Sequence, residues 1–208
     1  MDGFNLYNRC LKNTAYKWLD LRALVNSMEF NPGEITTIRY FTAHLINRPH
    51  DKTIAQRQQV YLRALKTLPE LKIHLGQFKS REVRGCLMDE RTQKATIKIV
   101  TIQKYEEKGS DVNIASHMLA DGFQKQFDAA ILISNDSDLA APMQIIKEVI
   151  GKPVGLISPD SFFMTELSKH ASFKRRIREE HLAASQFPDV LTDAHGSFKK
   201  PPCWNGIA

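Results

Sequence analysis

The spacing of apolar residues changes several times along the chain, and each change marks a predicted element. "ITTIRYFTA" (35–43) is β-branched and aromatic, which predicts a strand. "KTIAQRQQVYLRALKTL" (52–68) places its apolar positions on one helical face, and "LKIHLGQF" (71–78) alternates like a strand again. "VRGCLM" and "ATIKIVTI" then flank a polar, turn-like centre, predicting an inserted hairpin over about 79–105. From Ser110 onward, Ile114, Ala115, Met118 and Leu119 share a helical face, with Ser110 or Asp111 as the expected cap. "AAILIS" reads as a fully buried strand and "LAAPMQIIKEVI" as a helix with Pro142 in its first turn. "KPVGLIS" reads as a further strand and "SFFMTELSKHA" as a short helix.

Strands alternating with helices predict an α/β fold with a mostly parallel sheet covered on both faces. The 208 residues suffice for one such domain, expected over 1–186, and 187–208 read as a docked or loose tail. A hydrophobic fraction of 42% with 25% charged residues excludes a disordered chain. No apolar run is long enough for a bilayer and "MDGFNLYNRC" is no secretory signal, so a cytoplasmic protein without a membrane partner is expected. Cys10, Cys86 and Cys203 lie far apart without C-x-x-C spacing, which points to idle thiols rather than zinc.

The net charge of +6 is moderate, and its placement matters more. Lys79, Arg81, Arg84, Arg91, Lys94, Lys98 and Lys104 gather on the predicted hairpin, interleaved with Glu82, Asp89 and Glu90, and "KRRIR" forms a second cluster. Such a face either meets solvent or grips a polyanion, with Arg84, Arg91 and Lys104 as candidate substrate contacts.

The acids carry the candidate chemistry. Asp136 ends the buried strand, Asp111 opens a helix, and Asp2 precedes Gly3 and Asn5 in an expected strand-to-loop exit. In a parallel sheet such positions gather at the carboxyl ends of the strands, where ligands bind. Clustered carboxylates repel one another unless a cation neutralises them, and hard oxygen ligands suit Mg²⁺ or Mn²⁺. Asp138 reads equally as a helix cap or a ligand, and Asn5 as the closure of an Asx turn.

Three stretches in order, "DGFNLYN", "KGSDVNIASHML" and "FDAAILISNDSDLAAPMQIIKE", resemble the NYN domain, the LabA-like branch of the PIN-like ribonuclease superfamily. The resemblance covers roughly residues 1 to 160 and implies a three-layer α/β/α sandwich of PIN-like type carrying the basic hairpin as an insertion. It places metal-binding acids on Asp2, Asp111 and Asp136, with Asp138 as a fourth catalytic candidate. Asn5 matches a supporting catalytic position, and Ser134 a polar position toward the substrate. The implied activity is Mg²⁺- or Mn²⁺-dependent hydrolysis of RNA or another nucleic acid, with a homodimer left open. Because the first motif follows Met1 directly, residues ahead of it are expected to complete the first strand.

A dehalogenase-like phosphatase needs a second Asp two residues after the first, where this chain has Phe4. No G-x-G-x-x-G follows a first strand, and no G-x-S-x-G elbow is present. Two alternatives stay open: an inactive nucleic-acid or protein binding module, and, by the same resemblance alone, an NADH-dependent monooxygenase of a pyridine compound.

Overall fold

The computed structural model describes residues 1–28 and 33–205, so the last three residues of the predicted tail lie outside it. Helix α1 (Gly3–Leu6) starts directly at the first acidic motif, where the sequence suggests a loop, and continues into a π turn at Tyr7–Leu11. The reason is local: the Asp2 carboxylate accepts from the Asn5 amide and caps the turn. Gly3 is required at this point, because a Cβ there would lie 2.6 Å from the Tyr40 ring and 2.8 Å from the Phe41 carbonyl. Next come α2 (Leu21–Asn26), β1 (Ile38–Thr42), α3 (Ile54–Leu65) and β2 (Leu71–Leu75). The predicted hairpin is longer than expected, a ribbon of β3 (Gln77–Met88) and β4 (Ala95–Lys108).

Helix α4 (Ser110–Phe123) leads to β5 (Ala130–Ile133). The single helix expected over 139–150 divides into a 3₁₀ turn, Ser137–Leu139, α5 (Ala140–Ile145) and a π turn, Ile146–Ile150. Then follow β6 (Val154–Ser158), α6 (Thr165–His170), β7 (Phe173–Arg176) and α7 (Glu179–Ala184). The expected tail holds a hairpin of β8 (Val190–Asp193) and β9 (Gly196–Lys199).

Pairing is parallel wherever a helix intervenes. β1 pairs with β2, Ile38 opposite Leu71, and β6 lies between β5 and β7, Leu132 opposite Leu156 and Ile157 opposite Arg175. Two residues join these half-sheets: the Phe41 N–H donates to the Met1 carbonyl and the Asp2 N–H to the Ile133 carbonyl, both at 3.0 Å. Below this seam, an apolar cavity of about 220 Å³ separates β1 from β5, with Ile38, Ile114, Met118 and Ile131 among its walls.

Alternation along the strands feeds two cores. Tyr40, Ile133 and Ile157 join Trp18, Leu24, Leu62 and Leu65 of one core, whereas Phe41, Leu132 and Leu156 join Ile114, Met143 and Leu167 of the other. Every residue of β6 is buried, as expected of a strand covered on both faces. The fold is thus mixed α/β with small, largely parallel sheets.

Candidate metal centre

Three elements bring the acids together. Asp2 stands at the seam, Asp136 follows β5 and Asp111 lies in the first turn of α4. One carboxylate oxygen from each lies within 4.8 Å of the other two. That span is close to the distance across one Mg²⁺ ligand shell, about 4.2 Å from a metal–oxygen distance of about 2.1 Å.

Local hydrogen bonds set each acid. The Ser134 hydroxyl donates to Asp2 Oδ2 at 2.9 Å and accepts from the Asp136 N–H at 3.1 Å, tying two acids to one buried side chain. Ser134 is therefore fully enclosed beneath the acids instead of facing substrate, a correction to the sequence expectation. Asn5 accepts the Asn135 N–H at 3.0 Å, and Asn135 in turn accepts the Met164 N–H at 2.8 Å, which fixes the loop after β5. The cap of the 3₁₀ turn is Asp136, accepting from the Asp138 N–H at 3.0 Å, so Asp138 is not the cap. Asp138 is exposed and lies outside the group of three.

Neither Ser110 nor Asp111 caps α4. The cap position is Gly109, whose φ of +95° favours glycine, and the Ser110 N–H donates to the Glu107 carboxylate at 2.9 Å. The Asp111 side chain is left free to face the other acids.

Electrostatics follow from this crowding. Burial, then Asp136, Asp2, Glu107 and Asp138, push the Asp111 carboxyl up to about 6. Burial also raises Asp2, against hydrogen bonds from Asn5 and Ser134 that favour its charged form. The pocket above the acids has a volume of about 480 Å³ and is lined by Asp2, Phe4, Asn5, Asn8, Arg9, Glu107, Asp111 and Asp136. Sequence reading missed Phe4, Asn8, Arg9 and Glu107. Only Glu107 left a trace, as an acid three residues before the Ser110 it caps.

The three candidate substrate contacts lie on the ribbon, away from the pocket lining. Arg84 pairs with Thr101 and Lys104 with Arg81, so successive-residue alternation sends Arg84 and Lys104 to opposite faces, while Arg91 sits in the turn. Glu106 binds Lys104, Arg81 at 3.1 Å and Lys108 at 3.4 Å, and these cations hold its carboxyl down to about 2. That one carboxylate offsets one of the three positive charges gathered around it. No helix among the described residues is long and apolar enough to cross a membrane.

Known proteins resemble this chain in sequence and in fold. A 6-hydroxy-3-succinoylpyridine 3-monooxygenase of Pseudomonas putida is 33% identical over 234 residues, spanning 99% of this chain and 74% of that protein. The crystal structure of a Vibrio parahaemolyticus protein of unknown function superposes with a TM-score of 0.51 at 17% identity, over 88% of this chain and 91% of the other, a likeness of fold. The NYN domain description matches residues 1–175, a span that contains the seam, the helix opened at Gly109 and the acid-tipped strand. With all three acidic motifs converging inside that match, the chain belongs to the NYN domain family.

Proposed function

We propose that the chain is a divalent-cation-dependent hydrolase of RNA phosphodiesters. The observation that carries this reading is the convergence of Asp2, Asp111 and Asp136 within 4.8 Å at the open end of the parallel strands. Membership of the NYN family implies a ribonuclease-like function, and we read the architecture as the PIN-like three-layer sandwich.

The residues present fit a hard cation. Their donors are carboxylate oxygens, and Asp111, raised first by burial and then by the neighbouring acids, faces a negative field that Mg²⁺ or Mn²⁺ would relieve. Asp2, Asp111 and Asp136 would hold it; when bound, such an ion supplies Lewis acidity toward a phosphoryl oxygen and an attacking water. Asn5 and Ser134 position the acids, and Asp138 adds negative charge at the rim. Arg84 and Arg91 guide the polyanion along the ribbon, whereas Lys104 is held by Glu106 on the face opposite Arg84.

Titration of Mg²⁺ or Mn²⁺ against labelled single-stranded RNA, with Asp111→Asn and Asp136→Asn alongside, tests the assignment. Cation-dependent cleavage lost in both variants supports it, and equal cleavage by either variant refutes the site. A second reading comes from the Pseudomonas putida relative, whose name describes oxygenation of a pyridine compound. Consumption of NADH with a pyridine substrate, and no cation-dependent RNA cleavage, would favour that reading over hydrolysis.

A further inference from the structure

Three aromatic rings and one cation beside the acids are not needed to hold a metal. Phe4 forms part of the acid pocket's wall, and its ring lies 6.1 Å from that of Phe78, with 27° between the planes. Phe78 lies 6.5 Å from Tyr105 at 26°, so the three rings form a near-parallel row leading out of the pocket. The register explains the row: Phe78 is opposite Glu107 and Ser80 opposite Tyr105, two residues apart on each strand. Phe78, Tyr105 and the pocket-lining Glu107 therefore share one face of the ribbon's root.

Arg48 completes the group. Its guanidinium carbon sits 5.3 Å from the Tyr105 ring centre and 6.0 Å from that of Phe78. Its Nε is buried without a hydrogen-bond partner, and Arg48 forms no ion pair among the described residues. The neighbouring Arg57, by contrast, is engaged by the Asp51 carboxylate. An unpaired cation over aromatic rings, next to a cluster of acids, is a place for an anion that also carries a flat ring.

We infer that Phe4, Phe78, Tyr105 and Arg48 form a stacking track for single-stranded RNA, with bases on the rings and a phosphate on Arg48. Every base has a π-face, so a track of this kind binds single strands with little sequence preference. A duplex keeps its bases stacked on one another and cannot use the rings. The proposal rests on the hydrolase reading for the choice of polymer, but binding is read without cleavage.

The test is fluorescence anisotropy of the intact protein in EDTA, with a labelled oligouridylate, the same oligomer with abasic sugars, and an RNA duplex. The unmodified single strand should bind best, and Phe78→Ala and Arg48→Ala should each weaken it about tenfold. Phe78→Tyr should recover the affinity lost in Phe78→Ala, and removal of the bases should weaken the parent protein more than it weakens Phe78→Ala. Thermal melting of each variant separates lost binding from lost folding, with Phe78→Leu as the better-packed substitute if Phe78→Ala melts early. Equal affinity for abasic and normal RNA, undiminished binding by the folded variants, or no binding of single strands at all would each overturn the track. Base-dependent binding without cation-dependent cleavage leaves the track standing and removes the hydrolase reading; cleavage with normal binding by Phe78→Leu and Arg48→Ala does the reverse.

Discussion

Asp136 does two jobs with one carboxylate, accepting the Asp138 N–H while an oxygen faces Asp2 and Asp111. Asp136→Asn retains an acceptor for that N–H and removes the charge, so activity should fall by at least about a hundredfold while the melting temperature holds, measured by cleavage rate and calorimetry. His74 offers a residue-scale prediction on stability. Burial, then the facing His117 and Arg39, lower its pKa to about 4, against an attraction from Asp121, with the Phe41 ring stacked at 4.8 Å. The folded state holds the neutral imidazole more strongly than the unfolded chain does. Its contribution is therefore full above about 6.5 and is lost as pH falls toward 4. The urea midpoint should drop across that window, and His74→Gln should flatten the drop. At this scale the acids were legible because each sits in a short local signature at an element's end. Ser134 was not, since its enclosure depends on Asp2, 132 residues away in sequence.

Among the elements, the ribbon and the aromatic corner respond differently to change. The outer half of the ribbon exposes Leu87, Met88, Ile97 and Ile99, and at its root Glu106 offsets part of the positive charge of Arg81, Lys104 and Lys108. Changing Arg84 and Arg91 to Ala should therefore lower polyanion affinity modestly. It should also reduce the slope of log affinity against log salt by about 1.4 for single strands, at about 0.7 per phosphate contact, as measured in a salt titration. Unchanged slopes would remove the ribbon as a guide for substrate. The aromatic corner is structural: Trp18 is fully buried, with Phe187 at 5.8 Å, Trp204 at 6.2 Å and Phe198 at 6.4 Å. Trp18→Ala should cost about 3–5 kcal/mol in urea unfolding and release the segment beyond Phe187 to protease. Alternation and helical spacing revealed β1, α3, β2, the ribbon and α4 in the sequence. The corner stayed hidden because Tyr7 to Asn26 runs through a π turn, bends and a short helix, which leave no sustained period. The root's alignment with the pocket was equally hidden, being set by strand register rather than composition.

For the molecule as a whole, two half-sheets meet through Met1 and Asp2, and Asp2 is also one of the three clustered acids. An ion that binds only this folded arrangement should stabilise it by about 2.7 kcal/mol at a hundred times the dissociation constant, so the melting temperature should climb with the logarithm of ion concentration. Differential scanning fluorimetry with Mg²⁺ and Mn²⁺ should show that rise in the parent and lose it in Asp136→Asn. Neither whole-molecule feature follows from any one motif, because the seam exists only once β1 and β5 stand on either side of it. The seam also makes Asp2 a latch: the carboxylate that faces the other acids and the amide that holds β5 belong to one residue. Parting the two half-sheets therefore dismantles the cluster, so slow hydrogen exchange at the amides of Asp2 and Phe41 would report cation occupancy from inside the sheet, without any substrate present.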